Sequence, residues 1–262
     1  MNSDNLGDAL SAITFANYFK YFAFLITSGY SIRRLKVDTN NLEKVPENQI
    51  WSMLNEAELE QKVDLLVELL DRHEKRDQNI EAASFAEQAS LEAESCMSTT
   101  TIENLRYRQG LNLWRANQLD DAVMAFLAGV EKYSEPDAKI ELSKNLWGLA
   151  DSHLKLSNYD ESIYYSQLCV DAALADSAFE IAGLGKFVQG KALYLADREE
   201  EAIEACLAAR NYKRQEANTA AVYDIDDYIA TIYRYLGEYK KAEDLLRNCL
   251  TLDRRASCRE RV

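Results

Sequence analysis

The sequence predicts an all-α fold, a solenoid built from antiparallel helix pairs. Three observations predict it. Helix breakers are scarce: the 262 residues hold nine Gly and two Pro, while Ala, Leu, Glu and Lys abound. Small residues recur at a fixed interval of 40 positions. Between them run larger apolar residues, interrupted once per interval by a short polar turn.

The columns come first. Ala82, Ala122, Ser162, Ala202 and Ala242 stand 40 residues apart. Twelve residues upstream of each lie Leu70, Gly110, Ala150, Gly190 and Ala230. Seven downstream lie Ala89, Gly129, Cys169, Ala209 and Cys249. Only Leu70 is large. Small side chains at matched places let two antiparallel helices approach closely. Leu113, Leu193 and Tyr233 on the first helix, and Val123, Ile163 and Ile203 on the second, fill the space between. The turns read ANQLDDA, LSNYDES, ADREEEA and LGEYKKA, and they place breaks near Gln78, Gln118, Asn158, Arg198 and Glu238. Gly237 suits the left-handed backbone that ends a helix. Leu119, Tyr159 and Tyr239 sit three before the small residue and are expected to plug the turn.

These residues resemble the tetratricopeptide repeat, with its three small sites, a turn aromatic and apolar residues between. The match is best from Tyr223 to Asp253 and good from Glu103 to Tyr133 and from Ser143 to Ala173. It is weaker from Gly183 to Tyr212, where Glu199 takes the turn-aromatic place, and marginal from Val63 to Cys96. The period is longer than the family's usual ~34. Longer helices account for the difference, and Pro136 suits the first turn of one. The resemblance implies a right-handed superhelix whose first helices line a concave groove. It implies that Tyr107, Trp114, Arg115, Lys144, Trp147, Lys155, Phe187, Lys191 and Tyr194 lie on that groove. Aromatic rings beside cations suit a protein segment or extended peptide that carries acidic groups. The family's chaperone-tail clamp needs Lys and Asn in the columns of Tyr107/Trp147/Phe187 and Leu111/Asp151/Lys191; this sequence lacks that set.

Both ends differ from the middle. Residues 1–50 fall outside the register, 51–252 form the solenoid, and 253–262 are a tail. Between Ala9 and Ile32 the only charge is Lys20, among Phe15, Tyr18, Phe19, Tyr21, Phe22 and Phe24. A buried or capping helix is expected there. A membrane anchor through residues 9–32 is the competing reading, against which stand Lys20, Asn17, Thr14, Ser28 and Gly29. Asp4 and Asp8 occupy what would be the basic start of a signal peptide. The tail reads as translated sequencing adapter rather than native protein. The adapter stretch AGAGCGTCGTGTAGGGAAAGAGTG encodes Arg-Ala-Ser-Cys-Arg-Glu-Arg-Val, the residues from Arg255 onward. A native chain continuing past residue 252 is the corresponding expectation.

No chemistry-bearing motif emerges. There is no phosphate loop, nucleophile elbow or paired-histidine metal motif. His73 and His153 stand 80 residues apart, in the packing column of Leu113, Leu193 and Tyr233. Cys96, Cys169, Cys206, Cys249 and Cys258 are odd in number and contain no C-x-x-C. They form neither a disulfide framework nor a zinc site, so a reducing, cytoplasmic setting is expected. The carboxylates at Asp120–Asp121 and Glu199–Glu201 belong to exposed turns. A net charge of −14 disfavours nucleic acid, whose phosphates need a basic surface. The expectation is a non-enzymatic interaction scaffold with no catalytic residues, no cofactor and no metal. The alternative is a peptide-sensing regulator of bacterial type, whose effector part is not recognisable in residues 1–60.

Overall fold

The computed structural model describes residues 39–96, 99–131, 139–215 and 219–247. The apolar segment 9–32, Pro136, Cys249 and the tail lie outside them. Every regular element among the described residues is helical. A 3-10 turn, Thr39–Lys44, precedes α1, Glu47–Leu54. Then come α2, Leu59–Glu74, and α3, Asn79–Ala93; α4, Thr99–Arg115, and α5, Leu119–Glu131; α6, Lys139–Lys155, and α7, Tyr159–Ala175. The last are α8, Phe179–Leu195, and α9, Glu199–Gln215, then α10, Thr219–Tyr235, and α11, residues 239–247. From α2 onward they form five antiparallel pairs with breaks where the 40-residue register puts them. Consecutive helices pack throughout, and the first helices also stack directly, α4 on α6 and α6 on α8.

The turns repeat to the residue. Asp77, Asn117, Ser157, Asp197 and Gly237 all have positive φ, between 55° and 75°. After each, an N–H reaches five residues back to close the helix end: Gln118 to the Leu113 carbonyl at 2.9 Å, Asn158 to His153 at 2.9 Å, Arg198 to Leu193 at 2.9 Å, Glu238 to Tyr233 at 2.9 Å. This is the six-to-one bond of a left-handed helix terminus. Only the last turn uses glycine. Asp and Asn tolerate the conformation better than most residues.

The small columns are the pair interfaces. Ala82, Ala122, Ser162 and Ala202 are fully buried and Ala242 nearly so. Ser162 Oγ donates to the Ala150 carbonyl at 2.8 Å, so the second-helix column faces the first-helix column across the hairpin. A Cβ on Gly190 would meet the Ala202 carbonyl at 3.1 Å and the Cys206 sulfur at 2.4 Å. Leu70, though large for its column, is wholly buried. Phe126 is enclosed between the backbones of Gly110 and Gly148. His73 packs on Phe85, ring centroids 4.8 Å apart, with Nδ1 2.8 Å from the Leu69 carbonyl oxygen.

Two expectations need correction. The boundary at residues 50/51 cuts through α1. Ile50 is fully buried, and Arg72 of α2 donates to the carbonyls of Leu42 and Val45 at 2.8 Å each. Those hydrogen bonds join residues 39–54 to the first pair. Tyr239 does not plug its turn: it is 69% exposed, since no described helix follows to cover it, whereas Leu119 and Tyr159 are half-buried.

Candidate functional site

The first helices place their lining residues by helical spacing. Positions four and three apart share a face, so α6 presents Lys144, Trp147, Asp151 and Lys155 together. Stacking α4 and α8 against α6 brings the matching residues of neighbouring helices into contact.

The centre is Asp151. Its Oδ2 accepts the indole N–H of Trp114 at 2.9 Å. Lys155 lays its Nζ 3.4 Å from the centre of the same indole, and Lys191 lies 4.2 Å from the centre of the Phe187 ring. Burial pushes the Asp151 carboxyl above its usual range. Lys191, the Trp114 hydrogen bond and Lys155 oppose this without cancelling it. An aromatic run continues toward the C-terminal pairs. Phe187 meets Tyr228 edge-on at 5.7 Å, and Tyr194 meets both Tyr228 at 5.9 Å and Tyr235 at 5.8 Å. The Tyr228 hydroxyl is held well above the ordinary phenol range, mainly by burial, then by Cys206 and Tyr194.

On the other side of Trp114 the side chains are already paired. Lys144 bridges to Glu141 at 2.9 Å, and Glu141 also accepts from Asn104 at 3.3 Å. Tyr107 packs near Phe126, centroids 6.0 Å apart, and burial raises its hydroxyl pKa, Arg115 opposing and Glu141 adding. Trp147 packs against the same core, with its Nε1 buried and without an acceptor in the structure. Farther back, Arg108 clasps Glu74 and Asp71 and locks α2 to α4.

The nine residues expected on the face therefore divide. Trp114, Lys155, Phe187, Lys191 and Tyr194 form a connected set around Asp151. Tyr107 and Trp147 are half-buried packing residues that show an edge, Lys144 is tied to Glu141, and Arg115 is exposed. Asp151, Glu141 and Tyr228 were not among the nine. Asp151 stands in a lining column and could have been singled out as the one carboxylate of that column from α4 onward. Tyr228 shares a column with Arg108, Gly148 and Val188, and nothing in that series announces a ring.

Both histidines and two of the described cysteines pack against neighbouring helices. Cys169 and Cys206 are buried, and burial pushes both thiols up to about 12. His153 stacks on Tyr165 at 5.4 Å. Among the described residues no three His, Cys, Asp or Glu side chains gather as a metal set, and no helix is long and apolar enough to cross a membrane.

No protein-family model and no curated protein matches the chain. Solved structures do. BtubC from P. vanneervenii is 12% identical over 80% of this chain and 88% of its own, with a TM-score of 0.67. TPR-like repeats of a putative kinesin light chain from Podosopora anserina are 13% identical over 77% of this chain and 99% of theirs, TM-score 0.62. The Rap conjugation gene regulator of plasmid pLS20, solved with the Phr* peptide, is 12% identical over 86% of this chain, TM-score 0.57. This chain spans 60% of that regulator's length. Identities this low establish fold alone. In fold, the protein is a tetratricopeptide-type α-solenoid.

Proposed function

We propose that the first-helix face is a binding groove for a protein segment or extended peptide, and that the chain acts as a non-enzymatic scaffold in the cytoplasm. The observation that carries this is the cluster of Lys155 on Trp114 and Lys191 on Phe187 around Asp151. The rings give an apolar anchor a place to exclude water. The lysines rest on ring faces, an interaction worth about 0.5–1 kcal/mol at exposed sites. An exposed lysine–carboxylate pair is worth a similar amount, roughly 0–1 kcal/mol. A lysine can therefore turn from its ring to an acidic ligand at little net cost.

The test is selection of displayed random dodecapeptides on the full chain, followed by affinity measurement with wild type, Lys155→Glu and Tyr194→Ala, each checked for folding by circular dichroism. A hot-spot ring costs about 2 kcal/mol or more when truncated. Trp147 is the wrong residue to truncate, because its ring is set in the core and its loss would test folding. If both folded variants bind the selected peptides as wild type does, this face is not the binding surface.

A second reading, a peptide-sensing regulator, is favoured by the likeness to the Rap regulator that was solved with a peptide. It requires that a bound peptide shift the stacking of the pairs. Small-angle scattering with and without a selected peptide tests that, and an unchanged radius of gyration refutes it.

A further inference from the structure

We infer that the groove reads a peptide by segregated charge: acidic residues over α6 and α8, and a basic residue over α10. This rests on the binding-groove reading above and adds the ligand's charge order to it.

From α4 to α10 the lining columns change sign. On α4, α6 and α8 they carry four cations, Arg115, Lys144, Lys155 and Lys191, against one carboxylate, Asp151, and Lys144 is paired with Glu141. On α10 the places of Lys144 and Trp147 hold Asp224 and Asp227. Both aspartates are exposed, and neither has an ion pair among the described residues. Asp226 between them points the other way and is nearly buried against Arg210 at 2.9 Å. The α10 acids are therefore not spent on the fold, while the fold's own acid at that helix is. Arg234 lies two turns on and donates to Thr231, which donates to the Asp227 carbonyl; it leaves the Asp224–Asp227 end acidic.

The aromatic run joins the two halves. Phe187, Tyr228, Tyr194 and Tyr235 make edge-on contacts from α8 to α10, so an apolar anchor seated there has lysines on one side and carboxylates on the other. Packed helices stand roughly 8–10 Å apart, and α8 meets α10 through these rings rather than by close backbone approach, so α6 and α10 are separated by about 20 Å. An extended chain advances about 3.3 Å per residue. The acidic and basic residues of the ligand should then stand about five or six positions apart, with an apolar residue between. In a protein of net charge −14, a uniformly acidic peptide would be repelled before docking, whereas a dipolar one is oriented by the groove.

The peptides enriched from the dodecapeptide library are the probe. The expected consensus is an aromatic or aliphatic residue flanked by Asp or Glu on one side and Lys or Arg on the other, at that spacing. A synthetic consensus peptide should bind more tightly than a rearranged peptide of the same composition with alternating charges. The paired variant Asp224→Lys/Asp227→Lys, both exposed positions, should weaken the consensus peptide about five- to tenfold, as two surface ion pairs lost and reversed would. It should also strengthen binding of a version whose basic residue is replaced by Glu. If peptides are enriched and Lys155→Glu abolishes their binding, yet the Asp224→Lys/Asp227→Lys variant leaves their ranking unchanged, the charge order is wrong and the α10 acids are only a solvated end of the stack. If no peptide is enriched, or none depends on Lys155 or Tyr194, the groove reading fails and the charge order with it.

Discussion

Gly148→Ala should destabilise this protein, although a helix interior ordinarily gains about 0.8–1 kcal/mol when Gly becomes Ala. The reason is Phe126. A Cβ at position 148 would lie 2.4 Å from ring carbons of Phe126. Carbon atoms pack best at about 3.5–4.0 Å, so the ring would have to retreat by about 1 Å. It has little room to do so, because Phe126 is fully buried and a Cβ at Gly110, on the neighbouring first helix, would stand 2.6 Å from the same ring. The clamp is made by the backbones of two stacked first helices. Overpacking of this kind costs about 1–3 kcal/mol, and a fully buried ring in contact with two glycine backbones belongs at the upper end. Set against the propensity gain, the net loss should be about 1–2 kcal/mol. Urea and thermal unfolding followed by circular dichroism would show it, with a melting temperature lower by about 2–4 °C per kcal/mol. Phe126→Leu removes the ring's far edge, so in the Gly148→Ala background it should cost less than it does in wild type. A midpoint that is unchanged or raised in Gly148→Ala would refute the clamp. So would strict additivity of the two substitutions.

Two other outcomes follow from the packing. Cys169 and Cys206, with thiols pushed up to about 12 by burial, present almost no thiolate at neutral pH. They should react with a disulfide reagent only after unfolding in guanidinium, and rapid labelling of either in the native protein would count against the close helix approach. His153 has its pKa lowered from 6.5, by burial first, with Glu161 opposing. The unfolded chain therefore takes up the proton before the folded one does. Its contribution to stability is complete above pH 6.5 and declines as pH falls through that value. His153→Gln should flatten the pH dependence of the urea midpoint below neutrality, and identical slopes for variant and wild type would dismiss the effect.

What could be read from the sequence, and what could not, follows from where the constraint on each residue comes from. The small columns were legible because each is imposed by backbone meeting backbone. Ala150 and Ser162 are both small, and one hydroxyl reaches the other's carbonyl; Gly190 and Ala202 approach as closely, while Leu70 departs from the pattern in the first pair. The left-handed turn residues were legible only at Gly237, where the residue type itself reports the conformation. Asp77, Asn117, Ser157 and Asp197 adopt it as ordinary polar residues, and only their 40-residue spacing from Gly237 marks them. The face is harder still, because its pairings run between side chains of different repeats. Lys144 stands in a lining column like Lys191, yet Glu141, one turn before it on the same helix, holds it in an ion pair, while Lys191 rests on Phe187. Nothing within one column separates those two fates. The exception is a column whose character changes at one end of the stack. The series Val67, Tyr107, Trp147, Phe187 and Asp227 is apolar on α2, carries rings on α4, α6 and α8, and turns to a carboxylate on α10. Among the described residues Asp227 is exposed, whereas Tyr107, Trp147 and Phe187 are half-buried, so the one change to a charged residue in this series is also a change of surroundings.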